Sequence, residues 1–538
     1  MYMIKFILFL ISTVLVCAVS GKWLFLPLCI AELVLLFVIS GALAKKCPKA
    51  GYVLNLVLLF VYSAQLYIYY FTGEFISMLM LENVDMTASL GSSMKRYVLT
   101  ALPFIALLLL PARVPDKLMS RKLMWGAVVV VYVVAAVFGS NFFLTAVSPF
   151  TATVNLVSQA VYSMQDEVSE EERHSILNHF HRDSIPGANP DLLNAKCPNV
   201  ILIMTEGLSA EVLDVYNDLE YGLTPNLNKL HSESFVVDNY FNHTAATFRA
   251  VRGQLYSGYQ FLGGYYNDGT GLGEVSVDSL AEKMDVSTIS IVDILNENGY
   301  NTCYINSEPY SKQIRAYAKS FGVDTVVSGD YDVRQLTDKQ AFDVMAETVL
   351  ELRTSDDPYM VVFYNIGTHL GFDSPDIKYA DGADPDLNKF HNYDHWFGAF
   401  FEKMKAAGVW ENTLLVFTAD HASYPAPEFR KTFRTDREEF IGRIPLFFYS
   451  AGLNPGRIDA GGRNSLDLAP TVLDLLGLTS CPNYFLGTSL FLEAGSELSY
   501  ISAQGSVYHC TKDGVTVPVS TKDSRVKLIE AYYKINMN

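Results

Sequence analysis

Apolar and polar positions follow two regimes along this chain. Up to Phe143, five long apolar stretches run from Lys5 to Lys22, Trp23 to Ala44, Gly51 to Phe71, Tyr97 to Pro111 and Trp125 to Phe143. A bilayer crossing takes about 20 apolar residues, with a range of roughly 17–25. The stretches therefore predict a transmembrane domain of five helices over residues 1–143, the first and fourth at the short end. A cleaved leader is disfavoured for the first, because only Lys5 precedes the apolar run and four more stretches follow. From Pro198 the pattern changes to short apolar runs: NVILIM (Asn199–Met204), NTCYIN (Asn301–Asn306), YMVVFYN (Tyr359–Asn365), TLLVFTAD (Thr413–Asp420) and IPLFFYS (Ile444–Ser450). They are continuously apolar rather than alternating, as in strands of a mostly parallel sheet covered by helices on both faces. Helical periodicity lies between them, for example over Asp338–Leu352 and Leu387–Ala407. Residues 198–538 are thus expected to form an α/β sandwich.

Residues 144–197 read as a connector. Its middle, Asp166–Asp183, is a polar helical run with a small apolar stripe, stopped by Pro186-Gly187. Such a piece either lies along a membrane surface or packs on the following domain.

Charge divides the chain at the same place. The first 150 residues carry 11 Lys+Arg against 5 Asp+Glu, and the remainder 29 against 52. An acidic second part argues against nucleic-acid binding, which needs a basic face. With the N-terminus inside, the inner loops hold Lys45, Lys46, Lys49, Arg113, Lys117, Arg121 and Lys122. The outer loops hold Lys22, Lys95 and Arg96, diluted by Glu74, Glu82 and Asp85. Positive charge concentrated inside puts everything after the fifth stretch outside the cytoplasm. Four of the seven cysteines, Cys197, Cys303, Cys481 and Cys510, then lie in an oxidising space, which permits disulfides and leaves their pairing open. Glu32 lies inside the second apolar stretch, where a carboxylate is expensive. It reads either as a protonated or helix-paired side chain or as a polar notch for a lipid headgroup.

In parallel sheets, ligands gather at the carboxyl ends of the strands. Glu206 follows the first predicted strand, and Asp420-His421 follows the fourth. A Glu with an Asp-His pair offers oxygen and imidazole ligands suited to zinc or manganese. Taken singly, Glu206 also suits a helix N-terminus and Asp420 a cap.

In combination they say more. NVILIMTEGLS, LTPNLNKLHSESFVVDNYF, TADH, SLDLAPTVLDLLGL (Ser465–Leu478) and GTSLF (Gly487–Phe491), in this order, resemble the sulfatase/alkaline phosphatase superfamily. With preceding membrane stretches, the chain looks like the branch holding lipoteichoic-acid synthases and lipid A phosphoethanolamine transferases. That resemblance implies a metal-dependent transfer of phosphoglycerol or phosphoethanolamine from a membrane phospholipid to an envelope glycan or lipid acceptor. It also implies a threonine nucleophile and a phosphothreonine intermediate, where true sulfatases use a modified Cys or Ser. The matching stretch, NHTAATFRAVRGQLYSG (242–258), contains no Cys and opens a helix at Thr247, with Thr244 as rival. A helix start there would direct N–H groups at an anionic phosphate. By resemblance Glu206, Thr247, Asp420 and His421 surround a divalent metal (Zn²⁺ or Mn²⁺). His369, in YNIGTHLGF, resembles the histidine near the transferred phosphate, a proton donor or phosphate ligand, against a structural histidine. Arg249 is a candidate for holding phosphate charge, against a surface ion pair, while His243 and His395 read as structural. Phosphoethanolamine transferases usually carry a further histidine after the Asp-His pair, and Ala422–Arg443 has none. The expected place is a bacterial inner (cytoplasmic) membrane, multi-pass, with a periplasmic or extracellular catalytic domain. A phosphodiesterase or phosphatase of the same fold is the alternative, and a non-catalytic lipid sensor a third that the retained metal-site residues oppose.

Overall fold

In the computed structural model the residues described are 4–73, 75–77, 80–81, 91–110, 122–143, 146–163, 169–188, 190, 198–259, 277, 288–505 and 507–536. Glu74, Glu82, Asp85, Arg113, Lys117, Arg121, Asp166 and Cys197 lie outside them. The chain divides into two compact units, residues 1–164 with 425–428, and residues 165–424 with 429–538.

The first unit contains helices α1 (Ile4–Val19), α2 (Leu26–Lys46), α3 (Pro48–Thr72), α4 (Gly91–Leu108), α5 (Lys122–Phe143) and α6 (Pro149–Ser163). Each predicted apolar stretch falls on one of the first five. By length and composition, α2 and α3 are long and apolar enough to cross a membrane. The apolar parts of the others, Ile4–Val19, Val98–Leu108 and Val128–Ser140, are shorter, so the five-span expectation meets two long spans among the described residues. Leu33, Leu59, Tyr62 and Leu66 are buried between helices, while Val53, Phe60, Val134 and Phe138 face outward. Glu32 is buried and fully engaged: it accepts from Tyr132 (2.5 Å), from the Ser148 hydroxyl and from the Phe150 amide (3.3 Å).

The second unit begins with α7 (Glu170–Phe180), capped by the Ser169 hydroxyl, which accepts from the Glu172 amide, with three Glu in its first turn. Acidic groups there complement the helix dipole. Leu177 and Phe180 enter a core cluster with Tyr259, Ile501, Ile529 and Tyr532. This part of the connector therefore packs on the α/β unit.

The main sheet has eight strands: β1 (Asn199–Thr205), β2 (Phe235–Asp238), β3 (Asn301–Ile305), β4 (Thr325–Val327), β5 (Tyr359–Tyr364), β6 (Thr413–Ala419), β7 (Leu446–Tyr449) and β8 (Gly456–Asp459). Their order is β4-β3-β5-β1-β6-β7-β2-β8. The sheet is parallel on both sides of central β1, which pairs with β5 and β6 and is buried at all seven residues. Strand β7 runs antiparallel to both β6 and β2, so the sheet is mixed. A strand buried on both faces shows no alternation, and its composition carries no direction. Helices α8 (Pro225–Glu233), α9 (Thr247–Tyr256), α10 (Ile291–Glu297), α11 (Lys312–Lys319), α12 (Asp338–Leu352), α13 (Pro385–Ala406) and α14 (Leu468–Leu476) accompany it. A small antiparallel sheet, β9 (Ile501–Gln504), β10 (Val507–Cys510) and β11 (Val517–Val519), and α15 (Ser524–Tyr533) complete the unit. Cys303, Cys481 and Cys510 are free thiols.

The segment Ser465–Leu478 is a packing hub. Asp467 is fully buried, ion-paired to Arg463 Nε at 2.6 Å, and accepts from the Thr488 amide (2.8 Å) and Ser499 hydroxyl (2.6 Å). A Cβ on Gly487 would lie 2.3 Å from the Leu466 carbonyl oxygen, which explains glycine at the start of GTSLF.

Candidate functional site

Three neighbouring parallel strands end at one edge. Thr205 of β1 is in register with Ala419 of β6, and Met204 with Tyr364 of β5. The next residues, Glu206 and Asp420, therefore leave the sheet side by side. Gly207 turns the chain at φ +53°, and its amide donates to Asp420 Oδ1 at 2.8 Å. The His421 amide donates to the same oxygen at 2.7 Å. Asp420 Oδ2 is buried without a hydrogen-bond partner among the described residues, 3.3 Å from His421 Nε2. His421 Nδ1 lies 2.9 Å from the Ala422 carbonyl oxygen, which makes Nδ1 the protonated nitrogen and leaves the Nε2 lone pair facing the carboxylates. Glu206 Oε1 is 3.6 Å from that Nε2.

Thr247 is the first residue of α9 and follows Ala246, held at φ +70° and ψ 144°. A non-glycine residue there stores on the order of 1–3 kcal/mol, and such strain clusters at functional sites. The half-buried Thr247 hydroxyl donates to Glu206 Oε2 at 2.8 Å and lies 3.4 Å from His421 Nε2. Thr244 is buried, its hydroxyl donating to the Ala503 carbonyl at 3.0 Å. His369 sits in the turn after β5, with Nδ1 2.9 Å from the Leu370 carbonyl oxygen and its charge felt at Glu206.

The structure thus brings Glu206, Thr247, Asp420 and His421 together, with the charge of His369 acting on Glu206. Arg249 is buried, and its charge acts on Tyr533 of α15. His243 is buried with Nδ1 2.7 Å from the Ser465 hydroxyl, and burial pushes it down to about 3. His395 is exposed on α13, edge-to-face with Trp396.

Burial, reinforced by the Glu206 carboxylate, drives the Asp420 carboxyl well above the usual range. Burial also pushes Glu206 upward, but the His421 and His369 imidazoles and hydrogen bonds from Tyr364 and Thr247 outweigh it and hold Glu206 low. Two buried carboxylates side by side, one with an orphaned oxygen, and an imidazole lone pair fit a divalent cation. One ligand atom from each of Glu206, Asp420 and His421 lies within 4.8 Å of the others. The oxygen-rich set with one nitrogen suits Zn²⁺ or Mn²⁺.

Three further residues meet this group and stood unnoticed in the sequence. The Tyr364 hydroxyl donates to Glu206 Oε2, Asn365 Oδ1 accepts from the Glu206 amide at 3.1 Å, and Thr368 Oγ1 donates to the Glu206 carbonyl at 2.6 Å. For Asn365 and Thr368, polar residues just after an apolar strand were the available signal.

Residues 198–478 match the family model described as Sulfatase. Among curated proteins, Lipoteichoic acid synthase 2 of Bacillus subtilis is 24% identical over 429 residues, 70% of this chain and 62% of its own length. Lipoteichoic acid synthase 1 of the same organism is 24% identical over 362 residues, 63% of this chain and 54% of its own length. The chain thus spans about three-fifths or less of the length of these relatives. Among solved structures, the lipoteichoic acid synthase LtaP from Listeria monocytogenes superposes with a TM-score of 0.51 at 18% identity, covering 68% of this chain and 96% of that one. At that identity the likeness is one of fold.

Proposed function

The chain belongs to the sulfatase family, and from that premise we propose that it is a phosphoryl-group transferase. It moves phosphoglycerol or phosphoethanolamine from a membrane phospholipid to an envelope glycan or lipid acceptor. The observation that carries this reading is the Thr247 hydroxyl, set at a helix start against Glu206 and His421 in a stretch with no cysteine. Similarity to two lipoteichoic acid synthases over more than three-fifths of the chain supports it.

Glu206, Thr247, Asp420 and His421 would hold the cation, whose charge would lower the cost of deprotonating the threonine and offset charge on the phosphoryl oxygens. The Thr247 proton leaves along its 2.8 Å bond to Glu206 Oε2, and Oγ1 attacks the headgroup phosphorus. The bond from phosphorus to the diacylglycerol oxygen breaks, and that oxygen takes a proton from protonated His369. An acceptor hydroxyl then attacks the phosphothreonine, returns a proton to His369, and Thr247 recovers its own from Glu206. Each half is an in-line displacement on one activated nucleophile. Residues 1–143 act as the membrane domain, residues 144–197 as the connector and residues 198–538 as an extracytoplasmic catalytic domain. That keeps the site beside its lipid donor in a space without ATP.

Incubating the purified chain with phosphatidylglycerol or phosphatidylethanolamine, then weighing the tryptic peptide with Thr247, tests the reading. A mass increase equal to one headgroup phosphate identifies the donor. No adduct with either lipid on metal-loaded protein defeats the proposal.

A further inference from the structure

The end of β5 grips Glu206 at three places. Asn365 and Thr368 hold its amide and carbonyl, and Tyr364 reaches its carboxylate. Asn365 is itself anchored: its Nδ2 donates to Asp338 Oδ1 at 3.2 Å, and Asn392 donates to Asp338 Oδ2 at 3.0 Å. A Cβ on Gly367 would lie 2.2 Å from Asp338 Oδ1, so the turn runs directly over this anchor. The main chain of Glu206 is thereby fixed without help from Tyr364.

Its carboxylate is a separate matter. Oxygen Oε2 accepts from both Thr247 and Tyr364, which occupies the two lone pairs a carboxylate oxygen presents. Oxygen Oε1 is left toward His421 Nε2 and the Asp420 side of the group. We propose that Tyr364 is a positioning residue that sets which oxygen of Glu206 faces the cation, so that metal affinity depends on its hydroxyl. This rests on reading Glu206, Thr247, Asp420 and His421 as the metal group. Without the phenol, one bond from Thr247 holds the carboxylate, which then rotates about its terminal torsion. Glu206 is 3% exposed, so water does not readily replace the lost donor. The same turn carries His369, so one short segment orients both the metal carboxylate and the proposed proton donor.

Groups beyond the ligands that orient them typically carry 10–100-fold in metal affinity. The test is Tyr364→Phe in the full-length, detergent-solubilised chain, stripped of metal and titrated with Mn²⁺ by calorimetry. The expected result is Mn²⁺ affinity weaker by about 10–100-fold, activity recovering in excess Mn²⁺, and an unchanged melting temperature in chelator. Mn²⁺ affinity within about fivefold of wild type overturns the proposal. So does a large fall in the chelated melting temperature, which assigns Tyr364 to the fold. Wild-type protein that binds neither Mn²⁺ nor Zn²⁺ overturns the metal reading itself, a result visible before any variant is made.

Discussion

Asp420→Asn should stabilise the metal-free protein and remove most of the stability that metal adds. In the wild type, Asp420 Oδ1 is satisfied by two amides, whereas Oδ2 is buried without a hydrogen-bond partner among the described residues and feels the Glu206 carboxylate. The Thr247 hydroxyl lies close by but is committed to Glu206. Asparagine keeps the oxygen the two amides need and replaces Oδ2 by an amide able to donate to the His421 Nε2 lone pair, 3.3 Å from that position. An unsatisfied buried acceptor costs about 1–3 kcal/mol, and the substitution should return that much in chelator. The second unit holds roughly 370 residues. At about 2.1 cal/mol/K per residue, 1–3 kcal/mol is a rise of about 1–4 °C. Mn²⁺ at about 100 times its Kd adds roughly 2.7 kcal/mol to the wild type, or about 3 °C, and almost nothing to the variant. The variant's lead of about 1–3 kcal/mol in chelator should therefore shrink by roughly 2.7 kcal/mol in metal. Thermal unfolding followed by tryptophan fluorescence, with and without Mn²⁺, reads both arms. A variant less stable than wild type in chelator, or one gaining as much from Mn²⁺, refutes the reasoning.

Thr247→Ala should abolish turnover and the lipid-derived adduct while changing stability by less than about 1 kcal/mol, because Tyr364 still satisfies Glu206 Oε2. Thr244→Ala should stay active, losing about 1 kcal/mol with its bond to Ala503; the opposite pattern in a turnover assay would exchange their roles. Asp467→Ala leaves the buried Arg463 without a countercharge, which should cost about 3–5 kcal/mol and lower the melting temperature by about 4–6 °C; a shift of about 1 °C or less in a melting curve contradicts this. His509, buried on β10 and pushed down by burial to about 4, binds its proton only in the unfolded chain between that pH and about 6.5. Its neutral form is compatible with the fold above about 6.5, and stability falls by roughly 1.4 kcal/mol per unit as pH drops through that window toward 4. His509→Gln should remove this slope, so parallel stability–pH curves for variant and wild type, from urea unfolding, would refute the assignment.

What the sequence made legible depended on whether a residue's role is written in its neighbours. The five apolar runs became β1, β3, β5, β6 and β7 within a residue or two, because burial on both faces demands such composition. The direction of β7 was not legible because a fully buried strand carries no direction in its composition, and the small β9–β11 sheet was not because short strands of mixed burial carry no distinctive period. Glu206, Asp420 and His421 stood out because each directly follows a central strand, where a parallel sheet presents its ligands. Tyr364 did not: inside YMVVFY it looks like one more core aromatic, and the carboxylate that explains it lies 158 residues away. Arg249 illustrates the opposite case. It is two residues from Thr247 in sequence, which suggested a shared task, but at about 100° per residue two steps along α9 turn a side chain about 200° around the axis. One faces Glu206, and the charge of the other is felt by Tyr533. Proximity along a helix therefore counts as evidence for a common site only at spacings of three or four, a rule that weakens Arg249 as a phosphate ligand and leaves His369 the stronger candidate.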